Sequence, residues 1–307
     1  MNIRVGQVIP IEADKRYIQH VRSHAIGDVY DALVELITNA DDSYNRLFVK
    51  RKRSRDGGDI LIEHMEQRKG RSCIVVRDKA EGMDSWDFQK SLLRMGAYSS
   101  EIGNRGYMGR GAKDCTELGD LTYESIKDDK YYRCKITIDL KFILEENGSK
   151  ASREQRNLLG LKDGNGTSVS LLLREDIRLP RIQSLVSDLP WHYALRDIMS
   201  EASDTRILLR KLGDENASTE KLLYRPPEGA IVIDETFKID GYPEARARLQ
   251  IWKAPEPIED YKDRFQRFGI VVKARRGIHE CSFFSEEFQK DPRARSYFGR
   301  LDCEYLD

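Results

Sequence analysis

Between Ile26 and Leu47 apolar residues recur at spacings of three and four: Ile26, Val29, Leu33, Leu36, Ile37, Ala40 and Leu47. That period belongs to an amphipathic helix, whose apolar stripe must be covered by a core. The apolar runs that follow supply the cover. ILI at 60–62 and CIVV at 73–76 read as an antiparallel strand pair after the basic turn VKRKRSRDGG, and LTYESI, YYRCKITI and TSVSLLL read as three more strands. Opposite the apolar stripe, Glu35, Asn39 and Asp42 stand at i, i+4 and i+7, so a turn of ~100° per residue places all three on one narrow line.

A short helix is predicted over residues 85–95, capped by Asp84 or Ser85. Five glycines then crowd the stretch from Gly96 to Gly111 without a hydrophobic period, which predicts a mobile loop of lid type. The polar segment EENGSKASREQRNLLGLKDGNG reads as a surface excursion. RIQSLVSDLPWHYALRDIM reads as helical, interrupted or bent at Pro190. Four further strand-like runs, GAIVIDETFKI, ARARLQIWKA, RFGIVVKAR and FGRLDCEYL, complete the chain. We place a domain boundary near residue 178, giving domains 1–178 and 179–307.

Composition narrows the partners. The 307 residues carry 52 Lys+Arg and 52 Asp+Glu, so no global field selects a nucleic acid or a membrane. No apolar run approaches the ~20 residues of a membrane span, and the N-terminus lacks a signal-peptide pattern, which predicts a cytoplasmic protein. Cys73, Cys115, Cys134, Cys281 and Cys303 are odd in number and widely spaced, so buried free thiols are expected rather than disulfides or a zinc site. Two basic clusters qualify the neutrality. Arg46, Lys50, Arg51, Lys52, Arg53 and Arg55 form one, and Arg246, Arg248, Arg264, Arg267, Arg275 and Arg276 gather in the second half. Each reads as a solvated charge run or as a local DNA contact.

Four segments carry chemistry, in order: ELITNADD on the helix, DKAEGM after the strand CIVV, GYMGRGAKD leading into a helix, and DGNGT at the mouth of a strand. Closely spaced glycines let backbone amides approach phosphates, and a helix start offers unpaired N–H groups. This succession resembles the GHKL ATPases, the superfamily of gyrase, the ninety-kilodalton heat-shock chaperone, histidine kinases and MutL, over roughly residues 20–175. The G-x-G-x-K pattern of Gly109, Gly111 and Lys113, with a strand-rich second domain after it, is most similar to the MORC and MutL side. No phospho-accepting helix hairpin precedes the nucleotide domain here, which disfavours a kinase.

The resemblance implies an α+β fold: a Bergerat-type ATP-binding sandwich, with a mixed, mostly antiparallel sheet carrying helices on one face, then a smaller α/β transducer-like (S5-like) domain. It implies that Glu35 is the general base toward the γ-phosphate, that Asn39 holds Mg2+, and that Asp42 supports the nucleotide indirectly. Asp78 would accept the adenine amino group, Gly82 and Met83 would line the base, and Thr167 would complete that pocket. Gly106, Tyr107, Met108, Gly109, Arg110, Gly111, Ala112 and Lys113 would wrap the phosphates, with Lys113 sensing the γ-phosphate. Lys253 and Lys273 are candidates for a further transducer lysine. Ala80 stands where the family has glycine, so a positive φ there would be strained.

The expected activity is Mg-dependent hydrolysis of ATP by a clamp that dimerises when ATP binds, acting on DNA or with an effector protein, in a DNA-processing or bacterial defence setting by analogy. The alternative is a nucleotide-sensing module with little turnover that acts through a protein partner.

Overall fold

The computed structural model describes residues 4–10, 26–51, 58–93, 111–213, 218–259, 263–274, 277–283, 285–303 and 305. The chain is a mixed α+β protein that divides into two compact units, one of Met1–Gln183 with Asp204–Leu222, the other of Ser184–Ser203 with Leu223–Asp307.

The first unit is built on a nine-stranded sheet. Its strands are β1 (Val8–Pro10), β2 (Gly58–Met65), β3 (Cys73–Asp78), β4 (Gly119–Lys127), β5 (Lys130–Ile136), β6 (Lys141–Lys150), β7 (Gly166–Leu173), β8 (Thr205–Lys211) and β9 (Glu220–Leu222). They lie in the order β1-β6-β5-β4-β7-β3-β2-β8-β9, all neighbours antiparallel except β2 and β8. The predicted pairing of ILI with CIVV is present as β2 and β3, with Ile62 opposite Val76.

Helix α1 (Val29–Arg51) buries Val29, Leu33, Leu36, Ile37 and Ala40 of the predicted stripe against β2 and β3, and adds Ala32 and Tyr44 to it; Ile26 precedes the helix and Leu47 is only half-buried. Helix α2 (Ser85–Leu92) starts at Asp84, whose carboxylate accepts the Asp87 N–H while the Asp87 carboxylate accepts the Asp84 N–H, a reciprocal cap. Its buried Phe88 meets Tyr123 of β4 edge-on at 6.1 Å between ring centres. The four-residue helix α3 (Gly111–Asp114) adjoins α1, and the Cys115 thiol after it points at the Ala32 carbonyl.

Two readings of the sequence are corrected by the fold. The polar excursion contains the second half of strand β6 and helix α4 (Arg153–Leu158), capped by Ser152 with Gln155. Leu159 and Leu161 after α4 close a small core on Ile126 and Tyr131. The segment 204–222, assigned from sequence to the second domain, belongs to the first unit: β8 pairs in parallel with β2 and buries Ile207 and Leu209. Of the two readings at Pro190, interruption is the one found: a short helix α5 (Ile182–Asp188) gives way to tight 3-10 turns at 189–191 and 193–195.

The second unit carries a five-stranded sheet in the order β10-β11-β14-β12-β13. Its members are β10 (Ala230–Ile239), β11 (Tyr242–Lys253), β12 (Gly269–Ala274), β13 (Gly277–Ser282) and β14 (Tyr297–Cys303), with β12 and β14 parallel. The core gathers Phe268, Ile270, Phe283 and Ala294, with helix α6 (Glu286–Lys290) contributing Phe288. Asp197 accepts from Lys273 Nζ at 2.6 Å and from the Arg300 guanidinium at 2.7 Å and 3.1 Å, tying β12 and β14 to the segment after α5. All five cysteines are buried and free, as expected. Among the described residues no helix is long and apolar enough to cross a membrane.

Candidate functional site

Strand register assembles one end of the site. Asp78, the last residue of β3, lies directly opposite Thr167 of β7, and Thr167 lies opposite Ser125 of β4. All three are buried. The Asp78 carboxylate accepts the Ala80 N–H at 2.9 Å, and Ser125 Oγ stands 3.3 Å from Thr167 Oγ1, donates to the Gly166 carbonyl at 3.0 Å and accepts the Met83 N–H at 2.6 Å. Burial pushes the Asp78 carboxyl up to about 7, against the lowering by the Ala80 N–H and Arg46. A carboxyl whose ionisation is that finely balanced responds to any donor brought to it.

The turn from 79 to 83 is held from both sides. On the α1 side, Tyr44 Oη accepts the Lys79 N–H at 2.9 Å and donates to the Asp59 carbonyl at 2.9 Å, and Arg46 Nε reaches Glu81 at 2.8 Å. On the β7 side, Asn165 Nδ2 donates to the Glu81 carbonyl at 3.0 Å. Gly82 has φ +68°, and a Cβ there would stand 2.3 Å from the Ile126 carbonyl oxygen, so glycine is required for the turn to close on β4. Ala80, by contrast, has no positive φ. The strain expected from its methyl is absent, and the residue is simply buried.

The other end joins α1 to α3. Glu35 is half-buried with its carboxylate against Gly111, where a Cβ would come within 1.6 Å of Oε2. Asn39, one turn on, is exposed, and Asp42 is buried. Ala112 is half-buried. Lys113 is only 1% exposed, and its Nζ donates to the Ser91 carbonyl near the end of α2 at 2.7 Å. Burial lowers its ammonium to about 8. Gly106, Tyr107, Met108, Gly109 and Arg110 lie outside the described residues.

The structure therefore brings Asp78, Gly82, Met83 and Thr167 together, and sets Glu35 against Gly111. It turns Lys113 toward α2. Lys273 is engaged with Asp197, and Lys253 is exposed. Among the basic clusters, Arg248 pairs with Asp234 and Arg267 with Glu259. Lys52, Arg53, Arg55, Arg275 and Arg276 lie outside the described residues, as do the side chains of Lys50 and Arg51.

Sequence reasoning missed Ser125, Tyr44 and Asn165. Ser125 was findable: in LTYESI it shares the strand face of Leu121 and Tyr123, and a polar residue on a core face needs partners. Compared with known protein families and with curated proteins, the chain matches none of them.

Proposed function

We propose that the chain binds ATP with Mg2+ and hydrolyses it, using a Bergerat-type site of the GHKL kind in its first unit. One observation carries the reading: four segments far apart in sequence meet in pairs, the first with the third through Glu35 and Gly111, the second with the fourth through Asp78 and Thr167. A chance set of motifs has no reason to converge in that way.

The donor set fits the groups it would hold. Asp78 offers a buried acceptor for an exocyclic amino group. A base presenting a carbonyl there would leave the carboxylate unpaired, which is the physical origin of selectivity for adenine. Asn39 offers an exposed carboxamide oxygen one helical turn from Glu35, suited to a hard cation that completes its shell with phosphate and water. When bound, Mg2+ neutralises charge on the phosphates. Glu35, fixed on α1, orients the attacking water and takes its proton, a contribution on the order of 10²–10⁴ in rate. Nucleotide binding would favour pairing of two chains, giving an ATP-dependent homodimer that acts on DNA or an effector protein.

Lys113 favours a second reading. Its ammonium is committed to the Ser91 carbonyl, so a nucleotide-sensing module with little turnover, acting through a protein partner, is consistent with the same pocket. Calorimetry with ATP and Mg2+, paired with a phosphate-release assay on wild type and Glu35→Gln, separates the two. Hydrolysis requires binding in both proteins and a fall in release of about 10²-fold or more in Glu35→Gln. Binding without release in wild type gives the sensing module. Absence of binding rejects both.

A further inference from the structure

Strand β10 ends its sheet, with β11 on one side and, among the described residues, no strand on the other. It is ten residues long and exposed along nearly its whole length, with Ile231 50%, Val232 51% and Phe237 44% exposed. Long apolar edges of this sort invite another strand, and natural proteins usually blunt them with repelling charges or bulges. β10 has register shifts between Ile231 and Ile233 and between Lys238 and Ile239, but from Ile233 to Lys238 its register with β11 is regular.

The charges on that regular stretch do not repel a copy of themselves. Asp234 and Lys238 are opposite in sign, both exposed, four residues apart and on the same face, symmetric about Thr236. Asp234 is held in place by two Arg248 hydrogen bonds of 2.8 Å and one from Gln250 at 3.1 Å. Lys238 has no ion-pair partner among the described residues. We propose that β10 is a self-association edge: two copies of the chain pair antiparallel about Thr236, joining their second-unit sheets into one.

A two-fold axis normal to the sheet keeps each side chain on its own face, so directly opposed residues must be an even number apart. The axis at Thr236 meets that condition. It sets Asp234 against Lys238 of the other copy twice, while Phe237 lies across from Glu235. Opposite charges directly across an antiparallel pair stabilise it, and like charges oppose it. The occupant is therefore a second copy of this chain rather than an unrelated strand. The association needs no nucleotide, which distinguishes it from the ATP-dependent dimer proposed above.

Sedimentation of the full chain without nucleotide tests it. Wild type should show a concentration-dependent dimer, Thr236→Pro should be monomeric, and Lys238→Glu, which turns both charge pairs into like pairs, should raise the dimer dissociation constant roughly tenfold or more. Thr236→Cys fixes the register: the two thiols would face each other, and mild oxidation should give a covalent dimer, whereas Asp234→Cys should not. The native cysteines are buried and do not compete. A monomeric wild type, a dimer unchanged by Lys238→Glu, or cross-linking at 234 rather than 236 would each overturn the proposal. Because all three sites are exposed, melting curves establish that the variants remain folded.

Discussion

Asp78 concentrates the physical interest of the site in one side chain. Its carboxyl is raised by burial to about 7 in the folded chain, against a usual value near ~4 in an unfolded one. Protonation thus favours the folded state. The stability Asp78 contributes is fully present below pH ~4 and is lost as the pH rises through about 7. Asp78→Asn, which imitates the protonated form, should match wild type in urea melts near pH 4 and exceed it by roughly 2–4 kcal/mol near pH 8. A difference that does not change with pH would show that the carboxyl is not held neutral by its surroundings. The same substitution should abolish nucleotide binding, so a gain in stability would accompany a loss of function, the usual cost of a site built from a buried polar group. Asp78 and Thr167 were singled out in the sequence only through the resemblance of their segments to a known family, since a strand end beside a glycine turn reads by itself as an ordinary loop. Ser125 was not singled out, because a hydroxyl inside an alternating strand carries no motif and only its face marks it.

Helix α1 does at the scale of an element what no single residue does. Its N-terminal half presents Glu35 and Asn39, and its C-terminal half clamps the turn that follows Asp78. Tyr44 is the clamp's centre, with one hydroxyl serving the Asp59 carbonyl of β2 and the Lys79 N–H. Gly58 gives it room, since a Cβ there would come within 2.6 Å of the Tyr44 ring. Tyr44→Phe keeps the ring and removes both bonds, stranding two backbone groups, and should cost about 1–3 kcal/mol of stability. Guanidinium melts measure that cost, and calorimetry should show weaker ATP binding as the turn loosens. The apolar period located α1 and most of its buried face, although the helix runs from Val29 to Arg51 rather than from Ile26 to Leu47, and the cap at Asp84 was equally readable. β6 was not, because EENGSK is polar and glycine-bearing. Only Phe142 and Leu144, two residues apart and buried, betray a strand, and its place between β1 and β5 is a matter of tertiary pairing.

For the whole molecule, the interleaving of the two units matters most. A boundary at residue 178 is what composition suggests, since sequence neighbours usually fold together and parallel pairing across more than a hundred residues leaves no local trace. Yet β8 and β9 complete the first sheet, and Thr205 Oγ1 donates to the buried Asp41 carboxylate of α1 at 2.7 Å. A fragment ending at residue 183 should therefore lose cooperative thermal unfolding. Residues 1–183 joined to 204–222 by a glycine–serine linker should regain it, as followed by calorimetry. A fragment 1–183 that melts as sharply as the joined protein would make β8 dispensable. The order of synthesis gives this arrangement another meaning. β2 ends at Met65 and its partner β8 at Lys211, so at ~5–20 residues per second the ribosome leaves that flank of the growing sheet uncovered for roughly 7–30 s. Over that interval the nascent chain presents a bare strand with its hydrogen-bonding groups free, and a chaperone that shields strand edges during translation would set its yield more than any rate measured on the finished protein.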